Sequence, residues 1–356
     1  MDATSQAPRA AVRLPAALAD YACARTLVCC KPPWRVYLGP HEDHVLLGRV
    51  ARAGDRPLAT RVRAAIERPA LGVTLLTQPE EGCTLLDDHG AGCAVQRVAG
   101  LGALPASCRN FPRSVVRTPH GLEVAFLLQC PTAAAMVTLH PLPFTWVERD
   151  ATTWPYDDRR AVAPRIWWDA RASISFDALT ALRHAWWARL AGDGADGPAP
   201  DPVRALFDAP DDPGAAPRHA PLAVPPPDDD VTSAEQRFLE RLDVRGPTYR
   251  ARSADVRTAL AASPTADDLA RAWNAAPHAF LCATGLSLQL AGVHATQPVR
   301  DAFRGAAWQT LMAVSLTSRI MDLGVSDTAS AVQDALCATA HVSRWIAHTQ
   351  AGIATA

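Results

Sequence analysis

The sequence predicts an α+β protein, predominantly α, in which a small cysteine-cluster α/β region with short strands and a hairpin precedes a helical body. Three observations predict this class. Short runs of alternating bulky side chains, separated by turn residues, occur within the first 150 residues. From residue 164 onward, apolar side chains recur at helical spacing outside one Pro-rich stretch. Seven of the nine cysteines lie in the first 130 residues, which separates that region from the rest.

Residues 1–150 are predicted to form a cysteine-cluster metal-binding domain. Within it, residues 34–38 alternate bulky side chains and predict a short strand directly after a pair of cysteines. Residues 61–68 predict a short helix, and Pro69 is expected to end it because proline cannot continue a helix.

A hairpin is predicted near the end of this domain. Residues 114–118 and 122–128 are rich in apolar and β-branched side chains, and the Pro-His-Gly sequence between them is typical of a turn. The second strand leads to Cys130. Pro131 follows at the position where proline favours the first turn of a helix, so a helix is expected to begin there.

The remaining chain is predicted to contain a helical extension at 151–191, a flexible linker at 192–232 and a helical C-terminal region at 233–356. The extension is interpreted as largely helical from residue 164, with tryptophan and leucine as packing residues. The linker is dense in Pro, Gly, Ala and Asp and cannot bury enough apolar surface to fold alone. In the C-terminal region, helices are predicted at 233–243, 254–262, 266–275, 279–291, 298–322 and 327–349.

Charge and composition argue against two classes of partner. The formal net charge of -1 gives no electrostatic reason to bind nucleic acid or an anionic membrane surface. The first 24 residues contain proline and charged side chains where a signal peptide needs an unbroken apolar run. We therefore expect a cytoplasmic protein. In a reducing cytosol, clustered cysteines indicate metal binding or catalysis rather than disulfides.

The cysteine series is the candidate metal site. Its members are Cys23, Cys29, Cys30, Cys83, Cys93, Cys108 and Cys130. A tetrahedral zinc takes four nitrogen or sulfur ligands and a four-iron cluster takes four thiolates, so seven candidates exceed either need. The scarcity of histidine in the series favours an iron–sulfur cluster, with zinc as the alternative. Which four thiols bind stays open at this point. Cys282 and Cys337 lie in apolar helical contexts and are predicted to be core residues.

Two arginines follow Cys108 and are candidate cofactor-binding residues. Arg109 and Arg113 can donate hydrogen bonds to cluster sulfurs or offset the negative charge of the thiolates. The alternative is that each forms an ordinary surface salt bridge. Arginine is frequent here because Lys31 is the only lysine of the chain, so neither interpretation is preferred.

Four ordered phrases surround the cysteines, and together they carry a family resemblance. They are Tyr21-Ala-Cys23 with Cys29-Cys30-Lys-Pro-Pro-Trp34, the stretch from Cys83 to Gln96, Leu104-Pro-Ala-Ser-Cys108-Arg109-Asn-Phe-Pro112-Arg113, and Phe126-Leu-Leu-Gln-Cys130-Pro131. In these phrases the chain resembles the flagellin lysine-N-methylases, within the YkgJ-like cysteine-cluster proteins that chelate zinc or iron. The resemblance covers roughly the first 140 residues. The chain departs from the family pattern at Leu85-Leu86, where an aromatic residue is usual.

The resemblance implies an iron–sulfur or zinc protein that methylates lysine side chains of flagellin or another protein, with S-adenosylmethionine as methyl donor. The methyl donor rests on the resemblance alone, because the chain shows no glycine-rich loop of a common S-adenosylmethionine fold, and no catalytic residue is assigned. The alternative is a non-catalytic zinc- or iron-chelating module. The two interpretations share the metal site and differ in whether a pocket for lysine and the methyl donor exists.

Overall fold

The computed structural model describes part of the chain, in ranges separated by gaps. These are residues 11–24, 30, 36–70, 73–76, 83–87, 92–140, 145–151, 154, 156, 161–162, 166–168, 172–193, 266–290, 310, 313–314, 317–318, 321, 327–333 and 335–336. The predicted linker beyond residue 193, the helices at 233–243 and 254–262, and the cysteines Cys29 and Cys337 lie outside them.

The predicted fold class is confirmed, since helices form the majority and are accompanied by small sheets of short strands. The elements in chain order are β1 (Ala11–Pro15), β2 (Val36–Leu38), α1 (Glu42–Arg52), α2 (Arg56–Ala65), β3 (Ile66–Ala70), β4 (Val73–Leu76), α3 (Ala94–Ala99), α4 (Ala106–Asn110), β5 (Arg113–Thr118), β6 (Gly121–Phe126), α5 (Pro131–Leu139), β7 (Trp146–Asp150), β8 (Ile166–Trp167), β9 (Ser173–Ile174), α6 (Phe176–Asp193), α7 (Ala266–Ala275) and α8 (Pro277–Leu290). Described residues at 310–321 and 328–336 are also helical.

Two hydrophobic cores organise these elements. The small core lies between the antiparallel sheet β2-β4-β3 and helices α1, α2 and α3, and includes Leu46, Val50, Val62, Leu76 and Val95. The large core lies between the sheet β5-β6-β1-β7 and helices α5, α6, α7 and α8, and includes Val12, Phe126, Trp168, Trp186 and Trp273. Burial of these large aromatic and aliphatic side chains is the main stabilising contribution to each core.

The hairpin and the helix that follows it are confirmed. Strands β5 and β6 pair antiparallel from Arg113 opposite Phe126 to Thr118 opposite Gly121, which leaves a two-residue turn. Cys130 follows β6, and α5 begins at Pro131 as predicted. The chain therefore delivers the Cys130 side chain to the start of a helix in the large core.

Gly121 is required where the hairpin meets β1. Its φ is +119°, and a Cβ atom at this position would lie 2.4 Å from the carbonyl oxygen of Ala11. The close approach arises because β1 pairs parallel with β6, with Val12 opposite Leu122. Only glycine tolerates both the backbone conformation and the contact.

The predicted helix at 61–68 is wrong in both of its limits. Helix α2 begins at Arg56, because the side chain of Asp55 caps it by accepting a hydrogen bond from the Leu58 N–H at 2.9 Å. The helix ends at Ala65, since the next residues form β3 and pair with β4. Pro69 therefore lies within a strand and does not end the helix.

Residues 164–191 were predicted to be largely helical, and this holds from Phe176 onward but not at the start of the range. Ile166 and Trp167 form β8, which pairs antiparallel with Ile174 and Ser173 of β9. Helix α6 begins only at Phe176, after Ser175, whose hydroxyl accepts a hydrogen bond from the Ala178 N–H at 3.1 Å. Farther along, α7 and α8 agree with the predicted helices at 266–275 and 279–291.

Within the described residues, none of the helices combines the length and the apolar character needed to cross a membrane. The charge-free segment around α8 is a buried helix, because Phe280, Leu281 and Leu286 lie in the large core.

Candidate metal centre

Cys83 and Cys93 are brought together by a loop that closes on itself. Leu86 and Cys93 form an antiparallel β-bridge, and the Ala94 N–H donates a hydrogen bond to the Leu85 carbonyl at 3.0 Å. Both cysteines are half-buried and pack against the small core. The loop therefore places two thiols at one end of that core.

Two more cysteines reach the same end from other segments. The Cys83 N–H donates a hydrogen bond to the Cys30 carbonyl at 3.0 Å, which ties the first cysteine segment to the loop. Cys108 lies on α4, which contacts β2, and it packs against the small core. The Ala106 N–H at the start of α4 donates to the Glu42 carboxylate at 2.9 Å and fixes this helix on α1.

The thiols of these residues act on one another electrostatically. Burial, together with the negative charges of Cys93 and Cys30, raises the pKa of the Cys83 thiol to about 11. Burial raises the pKa of Cys108 as well, and Cys83, Cys93 and Cys30 all add to that rise. Like charges shift a pKa appreciably only over a few ångströms. Cys30, Cys83, Cys93 and Cys108 therefore lie in the same region, at one end of the small core, and are called the four-thiol cluster below.

Backbone N–H groups support two of these sulfurs. The Leu85 N–H lowers the pKa of the Cys83 thiol against the effect of burial. The N–H groups of Val95 and Gln96, in the first turn of α3, lower the pKa of the Cys93 thiol in the same way. Backbone N–H groups near a sulfur favour the thiolate, which is the form that binds metals.

Arg61 is a contributor that the sequence analysis missed. Its guanidinium donates hydrogen bonds to the carbonyls of Thr84 and Leu86, both at 2.6 Å, and so holds the loop that carries Cys83. Its positive charge also lowers the pKa of the Cys83 thiol. Arg61 on α2 and Thr84 in the loop are 23 residues apart in the sequence, so no local sequence pattern predicts their hydrogen bond.

The other two described cysteines of the series, Cys23 and Cys130, lie elsewhere, on two segments that contact each other. The Tyr21 hydroxyl and the Cys130 sulfur are 3.2 Å apart, and Cys130 belongs to the large core. The charges of Cys23 and Cys130 both act on Arg113. The structure therefore associates Arg113 with this second group. Tyr21 was not singled out as a site residue, although it opens the phrase that contains Cys23.

The other residues discussed as site or core residues in the sequence analysis are Arg109, Cys29 and Cys282. Arg109 is half-buried on α4, directly after Cys108, so it lies beside the four-thiol cluster in the chain. Cys29 is outside the described residues. Cys282 is confirmed as a core residue, because it is 1% exposed in α8 and burial raises the pKa of its thiol to about 12.

In the part of the chain that the structure describes, no group of three or more His, Cys, Asp or Glu side chains lies close enough together to hold a metal ion. All described cysteines, including the four of the cluster, are thiols rather than disulfides. The fit to a metal therefore rests on the donor set. Four thiols with backbone N–H support are what a structural zinc or a four-iron cluster takes.

Comparison with family models, curated proteins and solved structures finds no match to this chain.

Proposed function

We propose that the chain binds a metal centre through Cys30, Cys83, Cys93 and Cys108. The observation that carries the proposal is geometric: three separate segments bring these cysteines to one end of the small core, where Cys83, Cys93 and Cys108 pack and the Cys83 N–H donates a hydrogen bond to the Cys30 carbonyl at 3.0 Å. Burying several thiols that repel one another as thiolates costs free energy. A bound cation removes that cost, because it neutralises the thiolates and replaces repulsion with coordination.

An iron–sulfur cluster is the proposed occupant, and zinc is the alternative. An all-sulfur donor set suits both, and the absence of histidine from this set favours the cluster. The N–H groups of Leu85, Val95 and Gln96, which lower the pKa values of Cys83 and Cys93, would then tune the reduction potential of such a cluster. An iron–sulfur cluster bound there would supply one-electron transfer, whereas a bound zinc ion would supply rigidity.

Metal analysis of the full-length protein tests this proposal. Anaerobic purification is expected to give a brown protein with iron and sulfide in stoichiometric amounts, measured by chemical assay and visible absorption. A colourless protein with one zinc per chain would support the thiolate site and overturn the choice of metal. Protein without either metal, after purification and after reconstitution with each, would overturn the site itself.

The activity proposed for the metal protein is methylation of lysine side chains on flagellin or another protein substrate, with S-adenosylmethionine as donor. It rests on the resemblance of the four cysteine phrases to the flagellin lysine-N-methylases. Such a substrate, together with thiols that need a reducing compartment, leads us to propose a cytoplasmic location. The competing function is metal chelation without methyl transfer.

Mass spectrometry of a candidate substrate separates these two functions. Metal-loaded protein is incubated with S-adenosylmethionine and flagellin, and the substrate is expected to gain the mass of one or more methyl groups on lysine. Omission of the methyl donor is the control. An unchanged mass on flagellin and on other lysine-rich proteins, with the metal still bound, would favour the chelating module.

A further inference from the structure

Arg61 joins helix α2 to the loop that carries Cys83. Its Nη2 atom donates one hydrogen bond to the Thr84 carbonyl and one to the Leu86 carbonyl, each at 2.6 Å, and its Nε atom donates another to the Thr84 carbonyl at 3.2 Å. Helix α2 is itself anchored in the small core, where Val62 is fully buried. One side chain thus fixes two backbone groups of the loop to a helix that packs in the core.

The Thr84 carbonyl belongs to the peptide unit whose N–H acts on Cys83. This unit is trans and planar, so its C=O and its N–H point in opposite directions. Arg61 binds the C=O, and the N–H of the unit, which is that of Leu85, lowers the pKa of the Cys83 thiol. A charged donor on the carbonyl also polarises the peptide unit and makes its N–H a stronger donor. Arg61 therefore fixes and strengthens a dipole that acts on a candidate ligand.

The Leu86 carbonyl belongs to the peptide unit that closes the loop. The N–H of this unit, which is that of Asp87, donates a hydrogen bond to the Gly92 carbonyl at 2.7 Å, and Gly92 directly precedes Cys93. Together with the bridge between Leu86 and Cys93, this bond keeps the two ends of the loop in contact. Arg61 therefore holds the loop at the point where its two ends meet.

We propose that Arg61 is a positioning residue of the metal centre, which holds the loop of Cys83 and Cys93 in place before the metal binds. This role rests on the metal binding proposed above. Among the described residues, no three or more donor side chains lie close enough together to hold a metal ion, so the thiols have to draw together on binding. Ordering each segment in that step costs conformational entropy. A loop already fixed on α2 lowers that cost and so raises the affinity for the metal.

Release of metal from the full-length protein tests this role. Protein reconstituted with zinc ions, or with iron and sulfide, is mixed with a chelator, and the release of metal is followed by absorption. Arg61→Met removes the contacts with both carbonyls and should release metal about 10- to 100-fold faster, the range in which loss of an outer-shell partner weakens metal sites. The exposed Arg63 lies on the same helix and provides the matched control Arg63→Met, which should behave as the wild type.

Arg61→Lys separates the shape of the side chain from its charge. Lysine keeps the positive charge but lacks the Nε donor and the planar fork of the guanidinium. Its rate of metal release should therefore lie closer to that of Arg61→Met than to that of the wild type. A wild-type rate in Arg61→Lys would show that the charge alone acts on the site, and would overturn the positioning role.

Two further measurements separate positioning from a general loss of stability. In metal-free protein, Arg61→Met should speed up hydrogen exchange in residues 83–87 and leave β5 and β6 of the large core unchanged. In the iron-loaded form, its reduction potential should be more negative, because the cluster loses the effect of a polarised N–H group and of a nearby positive charge. Faster exchange throughout both cores, with an unchanged potential, would show that Arg61 only stabilises the fold and would overturn the proposal.

The outcomes for Arg61 and for the metal centre can be told apart. Metal release from Arg61→Met at the wild-type rate would overturn the positioning role and leave the metal centre intact. A wild-type protein that takes up neither zinc nor an iron–sulfur cluster would overturn the metal centre itself, and the role of Arg61 with it.

Discussion

Cys93→Ser is expected to abolish metal binding and to destabilise the small core together with it. Serine removes one of the four thiolates, and its hydroxyl does not replace a thiolate toward zinc or an iron–sulfur cluster. The free energy of metal binding, on the order of 10 kcal/mol for structural zinc, is available only to the folded chain. Metal content by elemental analysis and the thermal unfolding midpoint should therefore fall together.

Cys23→Ser is the matched control for this variant. It makes the same chemical change at a cysteine of the same series, yet the residue lies beside Arg113 and not in the four-thiol cluster. Its metal content and unfolding midpoint should equal those of the wild type. Full metal content in Cys93→Ser, with Cys83→Ser and Cys108→Ser behaving alike, would show that these thiols are core residues and not ligands.

Arg183→Met is expected to lower the free energy of unfolding by about 3–5 kcal/mol. Arg183 on α6 and Glu123 on β6 form an ion pair at 3.0 Å, and their side chains are 1% and 6% exposed. Removing the guanidinium leaves the Glu123 carboxylate buried in the large core without its counter-charge. Urea titration followed by circular dichroism measures the change.

Two further variants identify the cause of that loss. The double variant Glu123→Leu with Arg183→Met removes both charges and should recover most of the lost stability, since apolar pairs often replace buried ion pairs without cost. Arg13→Met breaks a pair with Glu148 that is 32% and 57% exposed, and should cost less than about 1 kcal/mol. A loss below about 1 kcal/mol in Arg183→Met would show that water reaches the pair.

Local chemistry was enough to predict some elements. The turn between β5 and β6 and the helix after Cys130 were predicted because proline fixes its φ angle and glycine permits a positive φ angle. Helices α7 and α8 were predicted from the spacing of their apolar residues, which repeats over several turns. In each case the decisive interactions lie within a few residues of the chain.

Other elements depended on distant partners. Residues 66–68 were predicted to continue a helix, but they belong to β3 because they pair with β4. Trp167 lies at helical spacing from later aromatic residues and is nonetheless in β8, paired with β9. Pairing across a sheet is invisible to a pattern read along one segment, so the predicted helices extended too far.

For the candidate site, the sequence by itself determined which residue type carries the chemistry and where the series lies in the chain. The tertiary structure decided how the described thiols are divided. Cys30, Cys83, Cys93 and Cys108 lie at one end of the small core, whereas Cys130 lies in the large core and Cys23 is exposed on a segment that contacts it. The physical reason is that spacing limits how far apart two thiols can be, but the core on which each segment packs fixes which thiols become neighbours.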